Sequence, residues 1–372
     1  MKERAYQICS NCVMDTSDPE IEFDERDVCN HCKGYAQKLK KNAQTETEKK
    51  EQLHTILESI KRDGKGKEYD CISGASGGVD STYLTYMLKQ FGLRVLVVHL
   101  DNGWDSELAV KNIENLVTRL GFDLFTKVLD WEEFRQLQVA YLKASVLDLE
   151  AISDHAIFAT LMNQASKNRI RYIINGSNLA TEGILPLSWR YDEKLTDETN
   201  IRSIFRQFAE GSLKDFPLLS LQRFAFLTKV KKIRVINLLD YMDYHKDQAK
   251  KIIQEKLCWR DYGGKHYESI ITRFYQGYIL PRKFGIDKRR AHLSTLIAAG
   301  KLSREKALEI LKQPIMEPEI LRQDLEYVPK KLGLTKSEFD EIMTLPPKRH
   351  EDYPTNKKMR ELLFSLNRKL KQ

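Results

Sequence analysis

Ser73-Gly74-Ala75-Ser76-Gly77-Gly78-Val79-Asp80-Ser81 stands between an apolar strand candidate, Tyr69 to Ile72, and an amphipathic helix expected from about Ser81. Three glycines and small hydroxyl residues let backbone N–H groups approach an anion closely, and the positive end of the following helix adds to the attraction. The stretch reads as a phosphate-binding loop, with an ordinary Gly-Ser turn as the other reading. It lacks the lysine of G-x-x-x-x-G-K-[ST], so gripping a γ-phosphate for simple hydrolysis is not its expected task.

Outward from this loop, hydrophobic periodicity alternates between strand and helix: strand 69–73, helix 81–91, strand 94–100, helix 105–120, strand 123–128, helix 131–143, helix 152–168 and strand 172–174. That order predicts an α/β fold with a doubly wound parallel sheet. Ligands in such sheets sit beyond the carboxyl ends of strands, so the segments after Ile72, Leu100 and Ile174 should converge on one crevice. The second of these is Asp101-Asn102-Gly103-Trp104, which also reads as a plain turn. The third runs from Gly176 to Glu182, and an exposed glutamate opening a helix is its simpler reading. Residues 190–202 read as a mobile polar connection, 233–239 as a last strand and 243–257 as a helix; from Leu302 the chain reads as helical.

With 372 residues, 41% hydrophobic and 31% charged, the chain can bury a large core. No apolar run approaches the roughly 18 residues of a membrane span. Met1-Lys2-Glu3-Arg4 leads straight into a cysteine motif, so a cytoplasmic address is expected. The formal charge of +8 suits a nucleic acid or a substrate rich in phosphates. Cys9-x-x-Cys12 and Cys29-x-x-Cys32 have the spacing of a four-cysteine Zn²⁺ site, structural because protein ligands fill every position. Thiol redox is the competing reading, and His31 is expected beside the site or exposed. The resulting expectation is a zinc-binding module over 1–40, a helical linker over 41–66, a nucleotide domain over 67–240 and a mostly helical substrate-binding region over 241–372.

The segment Cys258 to Ser269 is dense in polar, aromatic and glycine residues, a mix that favours a binding loop. Further on, Arg282, Lys283, Lys288, Arg289 and Arg290 fall within ten positions. They could cradle phosphates or form a solvated basic face.

S-G-G-x-D-S resembles the PP-loop of the ATP pyrophosphatases, which implies a PP-loop/HUP-like sheet and cleavage of ATP between its α and β phosphates. On that resemblance Ser73 to Ser81, Asp101, Asn102 and Gly176 would meet ATP. The Gly176–Glu182 stretch resembles a loop of ammonia-using NAD synthetases, where Glu182 and Asp80 would hold Mg²⁺. Along most of its length the chain resembles the N-acetyl sugar amidotransferases of the WbpG and PseA type, through both cysteine pairs, the glycine loop, Asn175-Gly176-Ser177-Asn178, Gly263 to Ser269 and Lys283 to Ser294. This resemblance stops about fifty residues before the end. It implies conversion of an acetamido group on a nucleotide-linked N-acetyl sugar to acetamidino during bacterial lipopolysaccharide or nonulosonic acid synthesis. Ser76, Asp80, Lys265 and His266 would then be catalytic, and Arg282, Lys283, Lys288, Arg289 and Arg290 would bind substrate.

The nitrogen source follows from the cysteines. Residue 2 is lysine, and Cys71 and Cys258 lack a glycine elbow, so no glutaminase nucleophile is expected in this chain. A separate glutaminase and an ammonia-channelling subunit, resembling the pair of histidine synthesis, would supply ammonia. The competing reading is a tRNA-modifying PP-loop enzyme of the thiolase or lysidine synthetase type, although nucleic acid is the less expected partner.

Overall fold

The structure is a computed structural model that describes residues 5–41, 45–264 and 267–369. In chain order the first elements are α1 (Asn30–Lys41), α2 (Glu46–Gly64), β1 (Cys71–Gly74), α3 (Val79–Gln90), β2 (Val95–Asp101), α4 (Glu107–Leu120), β3 (Asp123–Val128), α5 (Trp131–Ala144), α6 (Ala151–Lys167), β4 (Tyr172–Asn175), α7 (Leu179–Glu182), α8 (Glu198–Phe208), α9 (Leu221–Ala225) and β5 (Arg234–Asn237).

The five strands form one sheet in the order β3-β2-β1-β4-β5, with every pairing parallel. Alternation along the strands explains the two layers of helix. Cys71, Val95, Val97, Tyr172 and Ile174 face one side, where Ile60 of α2, Leu84 and Leu88 of α3 and Leu116 of α4 cover them. Ile72, Leu96, Val98 and Ile173 face the other, against Ala159, Met162 and Ala165 of α6. Each fully buried Val, Leu, Ile or Met side chain among them stabilises the layer by about 1.5–3 kcal/mol. Strand order reverses between β1 and β4, so the glycine loop after β1 opens at the switch point.

The late chain contributes α10 (Lys246–Leu257), α11 (Ile270–Phe274), α12 (Leu280–Phe284), α13 (Arg289–Ala298), α14 (Arg304–Lys312), α15 (Pro318–Lys331), α16 (Lys336–Thr344) and α17 (Lys357–Lys369). A π-helical turn, Tyr275–Ile279, joins α11 to α12. Phe274, Tyr275, Val328 and Phe339 from this region share a core with Trp104, Phe134, Tyr141 and the four N-terminal cysteines. The late helices therefore pack at the end of the sheet where β2 delivers Trp104.

Two expectations need correction. The helix after the glycine loop begins at Val79 with Gly78 as its N-cap, so Val79 and Asp80 already lie in its first turn. Residues 190–202 are not a loose polar connection. Tyr191 is buried and stacks on His350 with ring centroids 4.1 Å apart, and Asp197 caps α8 through the Asn200 amide. The polar residues there satisfy one another in the interior, which composition alone does not reveal.

Candidate functional site

The glycine loop is built by contacts that only small residues permit. Gly77 has φ +76°, and a Cβ on it would stand 2.7 Å from the Ala109 carbonyl oxygen, so the loop hugs the first turn of α4. Gly176, after β4, would place a Cβ 3.2 Å from the Ser81 amide nitrogen and 3.3 Å from the Asp80 carbonyl carbon. The loops after β1 and β4 are thus pressed together at the positive end of α3. Ser76 Oγ lies 3.1 Å from Ser81 Oγ and accepts from the Gly78 amide at 3.3 Å, which leaves both hydroxyls at the mouth of the loop. Ser73 differs: its hydroxyl is buried against Thr85 Oγ1 at 2.9 Å and faces the core rather than a ligand.

The charges of Asp80 and Glu182 both reach Tyr244. The Tyr244 hydroxyl donates to Asp80 Oδ1, and its acidity is suppressed by burial first, then by the negative charges of Asp80 and Glu182. Asp80 beside the glycine loop, and Glu182 within electrostatic reach of the same phenol, are carboxylates of the kind that suits Mg²⁺ together with phosphate oxygens and water.

Asp101 and Asn102 serve the turn itself. Asp101 Oδ1 accepts from the Gly103 amide at 2.8 Å and Asn102 Oδ1 from the Trp104 amide at 3.1 Å. Asn102 also donates to Ser153 Oγ at 3.3 Å, tying the turn to the start of α6.

The segment read from the sequence as a binding loop holds the glycine loop from outside, a role the sequence did not assign to its residues. Trp259 Nε1 donates to the Gly77 carbonyl at 2.8 Å, and a Cβ on Gly78 would lie 3.3 Å from the Tyr262 hydroxyl. Asn112 of α4 exchanges two hydrogen bonds with the Arg260 backbone, and Ser106 N donates to the Glu268 carbonyl. Residues 258–264 and 267–269 thus form a strap laid across the glycine loop; their aromatic and glycine content was the available signal. His99 was also missed. Its Nδ1 contacts the Ala75 carbonyl at 2.9 Å and its Nε2 contacts Asp105 at 3.1 Å. Burial disfavours its charge, but the Asp105 carboxylate outweighs this and holds the imidazole pKa above its usual value. Lys265 and His266, expected to be catalytic, lie outside the described residues.

The five late basic residues do not form one cradle. Lys283 donates to the Ile342 carbonyl, Arg289 binds Asp287 and the carbonyls that end α14, and Arg290 binds Asp15 at 3.0 Å and the Val13 carbonyl at 2.8 Å. Arg282 lies over the Tyr278 ring, and Lys288 pairs with Glu150 at 2.8 Å. Backbone carbonyls and carboxylates claim most of these cations, so sequence proximity did not become a shared surface.

The four cysteines are buried, with all four Sγ atoms within 4.8 Å of one another. Cys9–Cys32 and Cys12–Cys29 separations of 3.9 and 3.7 Å match the spacing of about 3.8 Å that tetrahedral Zn–S bonds of about 2.3 Å require. The amides of Asn11, Cys12 and Cys29 point at Cys9 Sγ at 3.3–3.4 Å, as suits a thiolate. His31 pairs with Asp18 at 2.6 Å, and Asp18 also accepts from Ser188. Lys38 donates to the Gly183 carbonyl at 2.9 Å, so the module braces the stretch that carries Glu182.

Residues 268–370 match the family described as "LPS biosynthesis protein WbpG-like, C-terminal domain". The resemblance read from the late segments holds there and runs past the point where it was expected to stop. An uncharacterized protein of Methanocaldococcus jannaschii is 25% identical over 324 residues, which cover 85% of this chain and 96% of that protein. A tRNA(Ile)-lysidine synthase of Chlamydia pneumoniae is 36% identical over 87 residues, 20% of this chain and 27% of that protein. Among solved structures, the NH3-dependent NAD synthetase of Campylobacter jejuni aligns with 78% of this chain and 98% of its own at 13% identity, with a TM-score of 0.30. Among the described residues no helix is long and apolar enough to cross a membrane.

Proposed function

We propose that this chain is an ATP-dependent enzyme that adenylates the acetamido oxygen of a nucleotide-linked N-acetyl sugar and replaces it with nitrogen. One observation carries the reading: the strap leading into the WbpG-like segment, residues 268–370, is hydrogen-bonded directly to the glycine loop through Trp259 and Gly77. A glycan-synthesis domain and an anion site thus form one piece.

An amide carbonyl is a poor electrophile and oxide a poor leaving group. Attack of the amide oxygen on the α-phosphorus of ATP forms a P–O bond, breaks the bond to the β-phosphate and releases the amide proton. Pyrophosphate departs into the backbone amides of the Gly77–Val79 turn, with the Ser76 and Ser81 hydroxyls beside them. Ammonia then adds to the imidate carbon and expels AMP, leaving the acetamidino group. Asp80 and Glu182 would hold Mg²⁺, which would neutralise charge on the leaving pyrophosphate. The Tyr244 hydroxyl fixes the Asp80 carboxylate for that task, so the chain's own contribution is positioning and electrostatics rather than a covalent nucleophile.

A separate glutaminase with a channel-forming subunit belongs to this reading. Cys71 is fully buried and burial pushes its thiol pKa up, while the Cys258 carbonyl is held by Asn115 midway along α4. The Cys71 thiol lacks the setting of an activated nucleophile, and Cys258 stands in no glycine elbow.

The similarity to a tRNA(Ile)-lysidine synthase keeps a tRNA base as the second acceptor to test. Purified protein given ATP, Mg²⁺ and ammonium, with either UDP- and CMP-linked acetamido sugars or tRNA, separates the two. AMP and pyrophosphate released only with a sugar nucleotide, together with exchange of oxygen for NH in its mass, is the expected result. AMP released only with tRNA would replace the sugar reading.

A further inference from the structure

An anion site made of backbone amides works only if the carbonyls between them point elsewhere. In the glycine loop two carbonyls are held by side chains from other segments. Gly77 is held by Trp259, and Ala75 by His99, whose Nδ1 lies 2.9 Å from the Ala75 oxygen. The Ala75 amide is engaged as well, donating to the Val98 carbonyl at 2.9 Å. Ala75 is thus pinned to β2 through both backbone groups, and the turn from Ser76 onward starts from that fixed point.

The partners of the ring decide its state. A carbonyl can only accept, so Nδ1 must carry a proton. The other ring nitrogen, Nε2, lies 3.1 Å from Asp105 Oδ2, with both side chains largely buried. A neutral imidazole protonated on Nδ1 would turn a lone pair toward that carboxylate, whereas an imidazolium presents N–H to both partners. Asp105 Oδ2 is buried and has no aligned hydrogen-bond donor among the described residues, so a cation beside it is what offsets its desolvation. Burial works against the charge on the ring, but Asp105, the Ala75 carbonyl and then Asp101 at the end of β2 outweigh it and keep the ring protonated above its usual range. The other charged groups flanking the loop are carboxylates too: Asp80 of α3, Glu107 of α4, and Glu268 of the strap, whose Oε1 lies 3.9 Å from where a Cβ on Gly78 would fall.

The strap places the Asp105 carboxylate. Asp105 pairs with Ser269 in an antiparallel bridge, the Ser106 amide donates to the Glu268 carbonyl at 2.8 Å, and the Ile270 amide donates to the Trp104 carbonyl at 2.9 Å. Residues 104–106 are therefore zipped to the start of the WbpG-like segment. We infer that His99 is a positioning residue: with Asp105 it ties the seating of this segment to the shape of the phosphate-binding turn. The strap then reaches the loop at two points, directly at Gly77 and through Asp105 and His99 at Ala75. The inference rests on the ATP site of the proposed function and not on the identity of the acceptor.

Calorimetric titration of the full chain with ATP and Mg²⁺, from about pH 6.5 to 9, tests this without turnover. Affinity of the unmodified protein should hold at the acid end and fall as His99 loses its proton. His99→Gln, which keeps a donor but carries no charge, should bind ATP about tenfold more weakly at the acid end and abolish the fall. Asp105→Asn should move the fall to lower pH, because burial without the carboxylate favours the neutral ring. That variant decides the matter should His99→Gln fail to fold. A lowered melting temperature with the pH profile of the unmodified protein, the signature of a purely structural residue, would overturn the inference, as would ATP affinity unchanged in the folded variants. AMP released with tRNA rather than with a sugar nucleotide would instead count against the proposed reaction and leave these titrations as they stand.

Discussion

The Trp259 indole N–H donates to the carbonyl of Gly77 across 182 positions of sequence, at 2.8 Å and with the ring buried. A residue from the strap thereby sets the conformation of a turn whose amides are to meet pyrophosphate. Trp259→Phe keeps an aromatic ring, though a smaller one, and removes the donor, a loss of about 1 kcal/mol for the hydrogen bond. It should raise the KM for ATP by roughly fivefold with little change in melting temperature, measured by pyrophosphate release and thermal denaturation.

Gly77→Ala tests the loop from the other side. The substitution puts a Cβ against the Ala109 carbonyl at a φ that costs an L-residue about 1–2 kcal/mol. The thermal shift caused by ATP should disappear in this variant, whereas Gly66→Ala, also at positive φ but with open space around it, should retain it.

Much of this arrangement was legible in the sequence, and the exceptions have physical causes. Val95, Leu96, Val97 and Val98 announce a buried parallel strand, and the glycine spacing announces the loop, because both depend on local periodicity and backbone freedom. Both cysteine pairs were legible because bringing four thiols into one cluster constrains their spacing. Arg289 and Arg290 were misleading: whether a cation meets a phosphate or an internal carbonyl is decided by where α14 and residues 13–15 pack, which no local pattern encodes. The pairing of Lys288 with Glu150 likewise joins residues 138 positions apart.

Acid stability should be governed in part by His350. Burial drives its pKa down to about 4 from 6.5, so the folded protein holds it neutral, stacked on Tyr191 and bonded to Asn200. Between pH 6.5 and 4 the unfolded chain binds this proton and the native one does not, so stability falls as pH falls through that window, by roughly 3 kcal/mol in all. Denaturant melts across the window should show this slope, and His350→Gln should flatten it.

Removal of metal from Cys9, Cys12, Cys29 and Cys32 should be felt at Glu182. Lys38 reaches the Gly183 carbonyl, and Tyr35 packs where a Cβ on Gly183 would fall. Treatment with a chelator should first expose residues 5–41 to proteolysis and then weaken Mg²⁺-dependent pyrophosphate release. Chelation that leaves both unchanged would detach the module from the site.

Oxygen tracing tests the central claim most directly. With ¹⁸O in the acetamido carbonyl of the nucleotide sugar, attack on the α-phosphorus carries the label into the phosphate of AMP, and the sugar product retains none. Label found in AMP is the predicted result; unlabelled AMP, or ADP in its place, would contradict the account.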